Sequence, residues 1–465
     1  MLIKQIKMAA AGREIIGDVY ITDGVIQAVG ESLDIEDRRV IDGTGLILLP
    51  GGVDAHTHMD LDVGVARATD DFYTGTVAAA FGGTTTIIDH MAFAPSGKPL
   101  MYQVEQYHGL ARDKAVIDYG FHGVIQRVDE GILNEMAVLM EEGITSSKIY
   151  LTYDGKLNDE EAFQVLRRAG EIGMVIAVHP ENDGVVNFLR RDYKEKGCLS
   201  PEYHPKSRPV ECEAEAVYRM LMLSRMAGDA PLYIVHLTNE PGLSSIKDAR
   251  RRGQKNIFAE TCPQYLFLDE SLYRLPEAEG LKYIMSPPLR SKEHREALWR
   301  GVEDGAVDVI ATDHCPFFYE KEKQLGKEDF TLTPNGAPGV EARLPLLFSE
   351  GYVKGRISLA RLAELCCENP AKIFGLYPKK GCIAPGSDAD LVLFDPKLKV
   401  RLTKTILHEN TDYTPYEGME LTGYPVMTIS RGEIIVDKGR FLGGKGRGRF
   451  LKRDKSTTRR CFVEY

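Results

Sequence analysis

Eight short β-rich runs, each followed by a polar or helical stretch, constrain the fold of this 465-residue chain more than any other feature. They occupy residues 51–58, 84–90, 118–126, 146–152, 174–182, 231–238, 257–266 and 307–315. Near-continuous apolar strands that alternate with helices favour a parallel sheet buried on both faces. No GxGxxG sequence follows any of the runs, which disfavours an open dinucleotide-binding sheet. The sequence therefore predicts an α/β fold in which residues 51–375 form a (β/α)8 TIM-like barrel.

The two ends of the chain share a different, all-β pattern. Residues 1–50 alternate apolar and polar side chains around Asp23-Gly24, a dipeptide typical of two-residue hairpins. The same pattern returns from Asp388 to Asp395 and in two short runs around Arg431-Gly432. We therefore predict one small β-sandwich domain built from both termini, with residues 1–50 as one part and 376–440 as the other.

Residues 441–465 form a basic tail. Between Lys445 and Cys461 the chain carries eight Lys or Arg and one Asp. A solvated or frayed end is the favoured interpretation, and an arm that contacts another subunit is the alternative.

The charge balance and the cysteines narrow the class of function. With 58 Lys+Arg against 68 Asp+Glu, the net charge is −10, which argues against a nucleic-acid or anionic-membrane partner. Eight Cys are scattered along the chain without a CxxC pair, a distribution typical of reduced thiols in the cytoplasm. We therefore expect a cytoplasmic enzyme, and any metal in it would need histidine and carboxylate ligands.

Ligand-type side chains lie at the ends of five of the predicted strands. They are His56, His58, Lys148, His179, His236 and Asp313. Because the C-terminal ends of barrel strands face one mouth, we expect these side chains to converge there. A single histidine at a strand end is more often structural, and His90, His122 and His314 are candidates for that role. The joint pattern of the six predicts a metal site.

Four imidazoles and one carboxylate exceed what one catalytic zinc needs, and they suit a pair of metals instead. Lys148 is the anomaly, since an ammonium beside divalent cations is disfavoured by burial and by charge repulsion. It could stay neutral, lie elsewhere, or react with carbon dioxide to form an anionic carbamate. The residues alone leave these three alternatives open.

The motifs of the chain resemble the cyclic amidohydrolases, and within them the hydantoinase/dihydropyrimidinase family with its aryl-hydantoin members. The resemblance extends from the N-terminal β region to beyond residue 420. It rests on GGVDAHTHMD, SSKIYLTYDG, VHPEN, YIVHLTN, ETCPQYL, SPPLR, ATDHCPF, NGAPGVE, ENPAKIFGL and GCIAPGSDADLVLFDP.

This resemblance implies a binuclear site and a set of residue roles. His56, His58, Lys148 and Asp313 would bind one metal, His179 and His236 the other, and carboxylated Lys148 would bridge them. The ions would be zinc, with manganese as an alternative, and the assembly a homotetramer. Asp313 would carry the proton from a bridging hydroxide to the leaving amide nitrogen, and Tyr153 would donate to the oxyanion. Ser286 and Asn335 would hold the cyclic imide edge; ordinary turn chemistry is the plain alternative for both, and a surface-loop Tyr for Tyr153.

The resemblance also locates a gate over the substituent of the substrate ring. The gate residues would be Leu61, Val63, Tyr150 and Leu157, an apolar set that suits an aryl or alkyl group, although loop Leu and Val residues commonly only pack. Dihydroorotase-like sequences carry an Arg two residues after the second His, whereas here no cation follows His58 until Arg67. We therefore expect hydrolysis of aryl hydantoins to N-carbamoyl amino acids, with no obvious partner for an ionic substituent. An allantoinase-like ureide hydrolase is the alternative, and a non-catalytic interaction protein is disfavoured because all the ligands are present.

Overall fold

The computed structural model of the chain describes residues 1–10 and 12–456. Within this range the strands form two sheets, an eight-stranded parallel sheet and a nine-stranded, mostly antiparallel one. The predicted fold class is confirmed.

The nine-stranded sheet is built from both ends of the chain. Its strands are β1 (Leu2–Ala10), β2 (Arg13–Thr22), β3 (Val25–Gly30), β4 (Val40–Asp42), β5 (Ile47–Pro50), β14 (Leu391–Arg401), β15 (Glu420–Ser430), β16 (Glu433–Asp437) and β17 (Arg440–Phe441). Asp23 and Gly24 both have positive φ in the β2–β3 turn, as a two-residue hairpin of type I′ requires. Strand β5 pairs with β1 on one side and β14 on the other, so both halves form one continuous hydrogen-bonded sheet.

The parallel sheet closes into a barrel. Its strands are β6 (Gly52–Thr57), β7 (Thr84–His90), β8 (Asp118–Val124), β9 (Ser146–Tyr150), β10 (Val175–His179), β11 (Leu232–Ile234), β12 (Ile257–Thr261) and β13 (Val309–Ile310). They pair in sequence order, and a bridge between Thr57 and His314 joins the first strand to the chain after the last. Each strand falls inside one of the eight runs read from the sequence.

Helices cover the outside of the barrel. They are α1 (Thr74–Phe81), α2 (Leu100–Ala111), α3 (Glu130–Glu141), α4 (Asp159–Ile172), α5 (Asp183–Glu195), α6 (Tyr203–Ser207), α7 (Val210–Met226), α8 (Glu240–Arg251), α9 (Pro263–Phe267), α10 (Lys292–Glu303), α11 (Arg343–Leu347), α12 (Leu359–Ala363) and α13 (Asn369–Ile373). Short 3-10 turns lie at Glu270–Arg274, Glu279–Tyr283, Lys323–Gly326 and Phe330–Leu332, and π-helical turns at Phe348–Val353 and Glu364–Glu368. Asn158 and Glu161 form a capping box at the start of α4. Among the described helices, none is both long and apolar enough to cross a membrane.

The basic segment after β17 packs against the barrel, so the expectation of a solvated end is wrong for residues 445–456. Backbone groups of Arg449 and Leu451 bond with Tyr119 in β8, and the Arg453 N–H donates to Gly143. The Arg453 guanidinium is buried and donates to Ser146 Oγ at the start of β9. Backbone pairing and a buried cation, which the local composition does not reveal, hold this segment in place. Residues 457–465 lie outside the described range, and the subunit-arm alternative stays a prediction.

Candidate functional site

Six side chains converge at the C-terminal mouth of the barrel. They are the predicted His56, His58, Lys148, His179, His236 and Asp313, and all but Asp313 are buried. Asp313 Oδ1 lies 3.0 Å from His56 Nε2 and 3.1 Å from His58 Nε2. Lys148 Nζ lies 3.0 Å from His56 Nε2, and His179 Nδ1 lies 2.9 Å from His236 Nε2.

The backbone at this mouth is unusual. Tyr153, His236 and Asp313 have φ values of 72°, 40° and 54°, in the left-handed region that residues other than glycine rarely adopt. Such residues concentrate where the surrounding structure enforces a functional geometry. Three of them among the predicted site residues single out this end of the barrel.

Two buried carboxylates orient the imidazoles. His56 Nδ1 lies 2.7 Å from Glu260 Oε1, and His179 Nε2 lies 2.7 Å from Glu181 Oε2. Because a carboxylate accepts, each of these nitrogens carries a proton. When the ring is neutral, the opposite ring nitrogen therefore has the lone pair that a metal could bind. Those lone pairs, on His56 Nε2 and His179 Nδ1, face the other members of the cluster.

The cluster fits a metal centre. One ligand atom each from His56, His58 and Asp313 lies within 4.8 Å of the others. Imidazole nitrogens whose second nitrogen donates to a carboxylate are the usual ligand arrangement for zinc and similar ions. With His179 and His236 beside them, the donor set matches the one inferred from the sequence.

The charges at the site are set by burial and by near neighbours. Burial opposes ionisation of Asp313, yet His56 and His58 hold the pKa of its carboxyl well below the usual value. Burial lowers the pKa of His58 to about 4 and also lowers the pKa of Lys148. Asp313 is therefore an anion and a proton acceptor at neutral pH, and the Lys148 amine loses its proton more easily than an exposed lysine.

A cleft of about 680 Å³ opens above this cluster. Its walls include Tyr153, Ser286 and Asn335, the three residues assigned to substrate. Ser286 Oγ donates to Asn335 Oδ1 at 3.0 Å, and Tyr153 lines the same cleft. Burial raises the pKa of Tyr153, so the phenol stays protonated and remains a donor.

Three of the four predicted gate residues, Leu61, Val63 and Tyr150, line the cleft, and Leu157 does not. The Leu157 N–H donates to the Tyr150 carbonyl at 2.9 Å, which turns the loop back toward the barrel. As a result Leu157 is 3% exposed and belongs to the main hydrophobic core. Its assignment to the gate is corrected accordingly, and Phe93, which the sequence analysis missed, lines the cleft instead.

A buried lysine supports the loop that carries Asn335. Lys323 Nζ donates to the carbonyls of Ile284, Pro334 and Gly336 at 2.7, 2.9 and 2.6 Å. Ile284 lies two residues before Ser286, and Pro334 and Gly336 lie immediately before and after Asn335. No local sequence pattern distinguishes Lys323 from a surface lysine, because its partners come from two separate segments.

Several other residues near the site were also missed by the sequence analysis. Glu260 follows three apolar residues in the buried strand β12, a signal that could have found it. Glu181 follows His179 by two residues, and its partner Arg208 lies far along the chain. Although burial alone would raise it, Arg208 lowers the pKa of Glu181 to about 2, so the carboxylate stays charged. Arg190 also lines the cleft, contrary to the expectation that an ionic substituent has no partner.

The three histidines considered structural divide into two groups. His122 contacts Ser146 Oγ and the Ala55 carbonyl, and His314 contacts Asp70 Oδ2, as structural histidines do. His90 stacks against His122, 4.3 Å between ring centroids, and neither of its ring nitrogens has a partner among the described residues.

Comparisons with known proteins identify the family of the chain. The model of the amidohydrolase family matches residues 47–435. The chain belongs to the amidohydrolase family. It is 50% identical over 454 residues to a D-phenylhydantoinase of Escherichia coli O7:K1 (strain IAI39 / ExPEC), a match that covers 97% of this chain and 98% of that one. The resemblance read from the motifs is confirmed, and this amidohydrolase is an enzyme.

Solved structures extend the same comparison. The dihydropyrimidinase of Brevibacillus agri NCHU1002 superposes with a TM-score of 0.96 at 41% identity, over 98% of this chain and 99% of that one. The L-hydantoinase (dihydropyrimidinase) of Arthrobacter aurescens superposes with a TM-score of 0.88 at 32% identity, over 97% and 99%. Since D- and L-hydantoinases both appear among these neighbours, the fold of this amidohydrolase does not determine which enantiomer it takes.

Proposed function

We propose that this enzyme opens the ring amide of 5-substituted hydantoins, aryl-substituted ones above all, and of dihydropyrimidines, to give N-carbamoyl amino acids. The observation that carries the proposal is the buried cluster around Asp313 at the floor of a cleft that also holds apolar side chains. The names of the similar proteins support the substrate class.

The ligands divide between two ion sites in this proposal. His56, His58 and Asp313 would hold one divalent ion, His179 and His236 the other, and Lys148 would serve both. Zinc suits these donors, and manganese is the alternative. When bound, the two ions would polarise the ring carbonyl and supply hydroxide at neutral pH.

Lys148 would take part as a carbamate. Burial lowers the pKa of Lys148, which raises the fraction of neutral amine. The amine nitrogen would form a bond to the carbon of carbon dioxide and release one proton. The product is a carbamate with a single negative charge shared by two oxygens. A group that is costly to bury as a cation would thereby become an anion suited to its position.

Asp313 would move the proton that the ring opening requires. Its low pKa keeps it ionised, so it can accept the proton of the attacking hydroxide as the new C–O bond forms. The same carboxyl then gives this proton to the ring nitrogen as the C–N bond breaks. Tyr153, protonated and inside the cleft, donates a hydrogen bond to the carbonyl oxygen as negative charge develops there.

The cleft walls would orient the ring. Ser286 and Asn335 present polar groups to the imide edge, while Leu61, Val63, Phe93 and Tyr150 face the substituent. Burying a phenyl group against them contributes a few kcal/mol, from about 25 cal/mol per Å² of apolar area removed from water.

A turnover screen of metal-loaded enzyme tests the proposal. The substrates are hydantoin, 5-phenylhydantoin, dihydrouracil, allantoin and dihydroorotate. We expect the highest kcat/KM for 5-phenylhydantoin and no turnover of dihydroorotate. Faster hydrolysis of allantoin would favour the allantoinase-like alternative, and no turnover of any ring would contradict the proposal.

The family resemblance also leads us to propose a cytoplasmic homotetramer with two zinc ions per subunit. Native mass spectrometry combined with elemental analysis measures both numbers directly. A monomer, or one ion per subunit in active enzyme, would contradict this part.

A further inference from the structure

A cation on α5 is aimed into the cleft without a carboxylate partner. Arg190 lines the cleft, and its Nη2 donates to the Thr331 carbonyl at 2.9 Å. Over the described part of the chain, its other guanidinium nitrogens have no protein partner and no carboxylate lies within 4.0 Å. Lys194 on the same helix, in contrast, pairs with Asp329 at 2.7 Å.

Two other cations on the cleft wall are paired with carboxylates. Arg208 pairs with Glu181 at 2.5 Å, and Lys156 pairs with Asp183 at 3.2 Å. Burial lowers the pKa of Arg190, and charge repulsion from Arg208 lowers it further. A guanidinium nevertheless stays charged in proteins. The two carboxylates whose charge acts on Arg190 are each paired with another cation, Glu181 with Arg208 and Asp329 with Lys194. Arg190 therefore has no ion-pair partner of its own among the described residues, and its positive charge faces the cleft.

The surroundings of Arg190 suit a substituent that is apolar along its length and anionic at its end. Leu332, the residue after Thr331, lines the cleft and is 55% exposed. Val63 and Phe93 also line the cleft, and each is 41% exposed. Two further carboxylates on the wall, Asp62 and Asp154, are exposed and form no ion pair with Arg190. A carboxylate on the substrate could form the ion pair that Arg190 lacks, because guanidinium and carboxylate match in geometry and charge.

We infer that Arg190 is a specificity residue for this enzyme, and that its preferred hydantoins carry a carboxylate on the 5-substituent, as in 5-(4-carboxyphenyl)hydantoin. The inference rests on the proposed function, which supplies the ring chemistry.

The experiment compares 5-(4-carboxyphenyl)hydantoin with 5-phenylhydantoin. The kcat/KM ratio of the two substrates is measured for the wild type, Arg190→Gln, Arg190→Glu and the neighbouring, exposed Arg191→Gln. Gln keeps a donor for the Thr331 carbonyl and removes the charge. We expect the wild type to prefer the carboxylate, Arg190→Gln to lower the ratio about tenfold, and Arg190→Glu to lower it further. Arg191→Gln should leave the ratio unchanged.

Calorimetric binding of both hydantoins to the same proteins separates this inference from the proposed function. An Arg190-dependent preference in binding, with no turnover of either ring, would contradict the proposed function and support the inference. Turnover of both rings with the same ratio in wild type and Arg190→Gln would overturn the inference alone. A variant that fails to fold is replaced by Arg190→Lys, which keeps the charge and should retain most of the preference.

Discussion

Replacing Lys323 with methionine tests whether a buried ammonium holds the loop that carries Asn335 in place. The change removes three hydrogen bonds, but the Ile284 carbonyl also accepts from the Gly336 N–H at 3.1 Å and keeps that partner. The carbonyls of Pro334 and Gly336 lose the bond that Lys323 gives them. Leaving a buried carbonyl without a hydrogen bond costs roughly 1–3 kcal/mol. Part of this cost is offset, because the variant no longer has to bury a positive charge. We therefore expect the free energy of unfolding to fall by about 2 kcal/mol.

The same substitution should act on substrate binding. Because Asn335 lies between the two carbonyls that are released, KM for 5-phenylhydantoin should rise about fivefold or more, with a smaller change in kcat. Denaturant unfolding and steady-state kinetics measure the two effects, with the exposed Lys327→Met as the matched control. Unfolding within about 0.5 kcal/mol of wild type together with an unchanged KM would refute the reasoning.

The stability gap between wild type and Lys323→Met should also depend on pH. Burial lowers the pKa of Lys323 to about 7, whereas in the unfolded chain it stays near 10.5. Between these values the unfolded chain binds more protons than the folded one, so this group makes the free energy of unfolding rise with pH. The variant lacks the group, and the gap should therefore widen from pH 7 toward pH 10. If the difference in unfolding free energy between wild type and variant did not change with pH, the folded protein would not lower the pKa of Lys323, and this prediction would be wrong.

Three further predictions concern the metal cluster. Lys148→Ala should lose most bound metal and activity, with partial recovery of both in acetate; two ions per chain and normal turnover would exclude a bridging role. Asp313→Asn should abolish turnover while metal content falls far less. Activity within tenfold of wild type would mean that another residue carries the proton. Glu260→Gln should weaken zinc binding about 10- to 100-fold in a metal-buffer titration, since the amide holds the His56 ring less firmly; unchanged affinity would show that Glu260 only packs.

The barrel and the cluster of side chains at its mouth could be predicted because both depend on local patterns. Apolar runs of strand length identify the strands, and a polar residue at the end of such a run stands out, as His179 and Asp313 do. The direction of a parallel barrel then brings these strand ends together. No knowledge of long-range contacts is needed for that step.

The residues that were missed or misplaced depend on contacts between distant segments. Lys323 and Arg190 look like ordinary polar residues until the loops around them are placed. Leu157 fits an apolar gate by composition, and only its backbone bond to Tyr150 shows that the loop turns inward. Arg453 is the same kind of case, because its buried partners come from β8 and β9.

The pairing of β5 with β14 also sets an order of events during protein synthesis. Residues 51–390, a stretch of 340, are translated after β5 ends and before β14 begins. At about 5–20 residues per second this takes roughly 17–70 s. Throughout that interval the edge of β5 that β14 will cover has no strand beside it, and open edges of this kind recruit other chains. Slow translation or premature termination before Leu391 should therefore promote aggregation of the nascent chain even where the barrel itself has already formed.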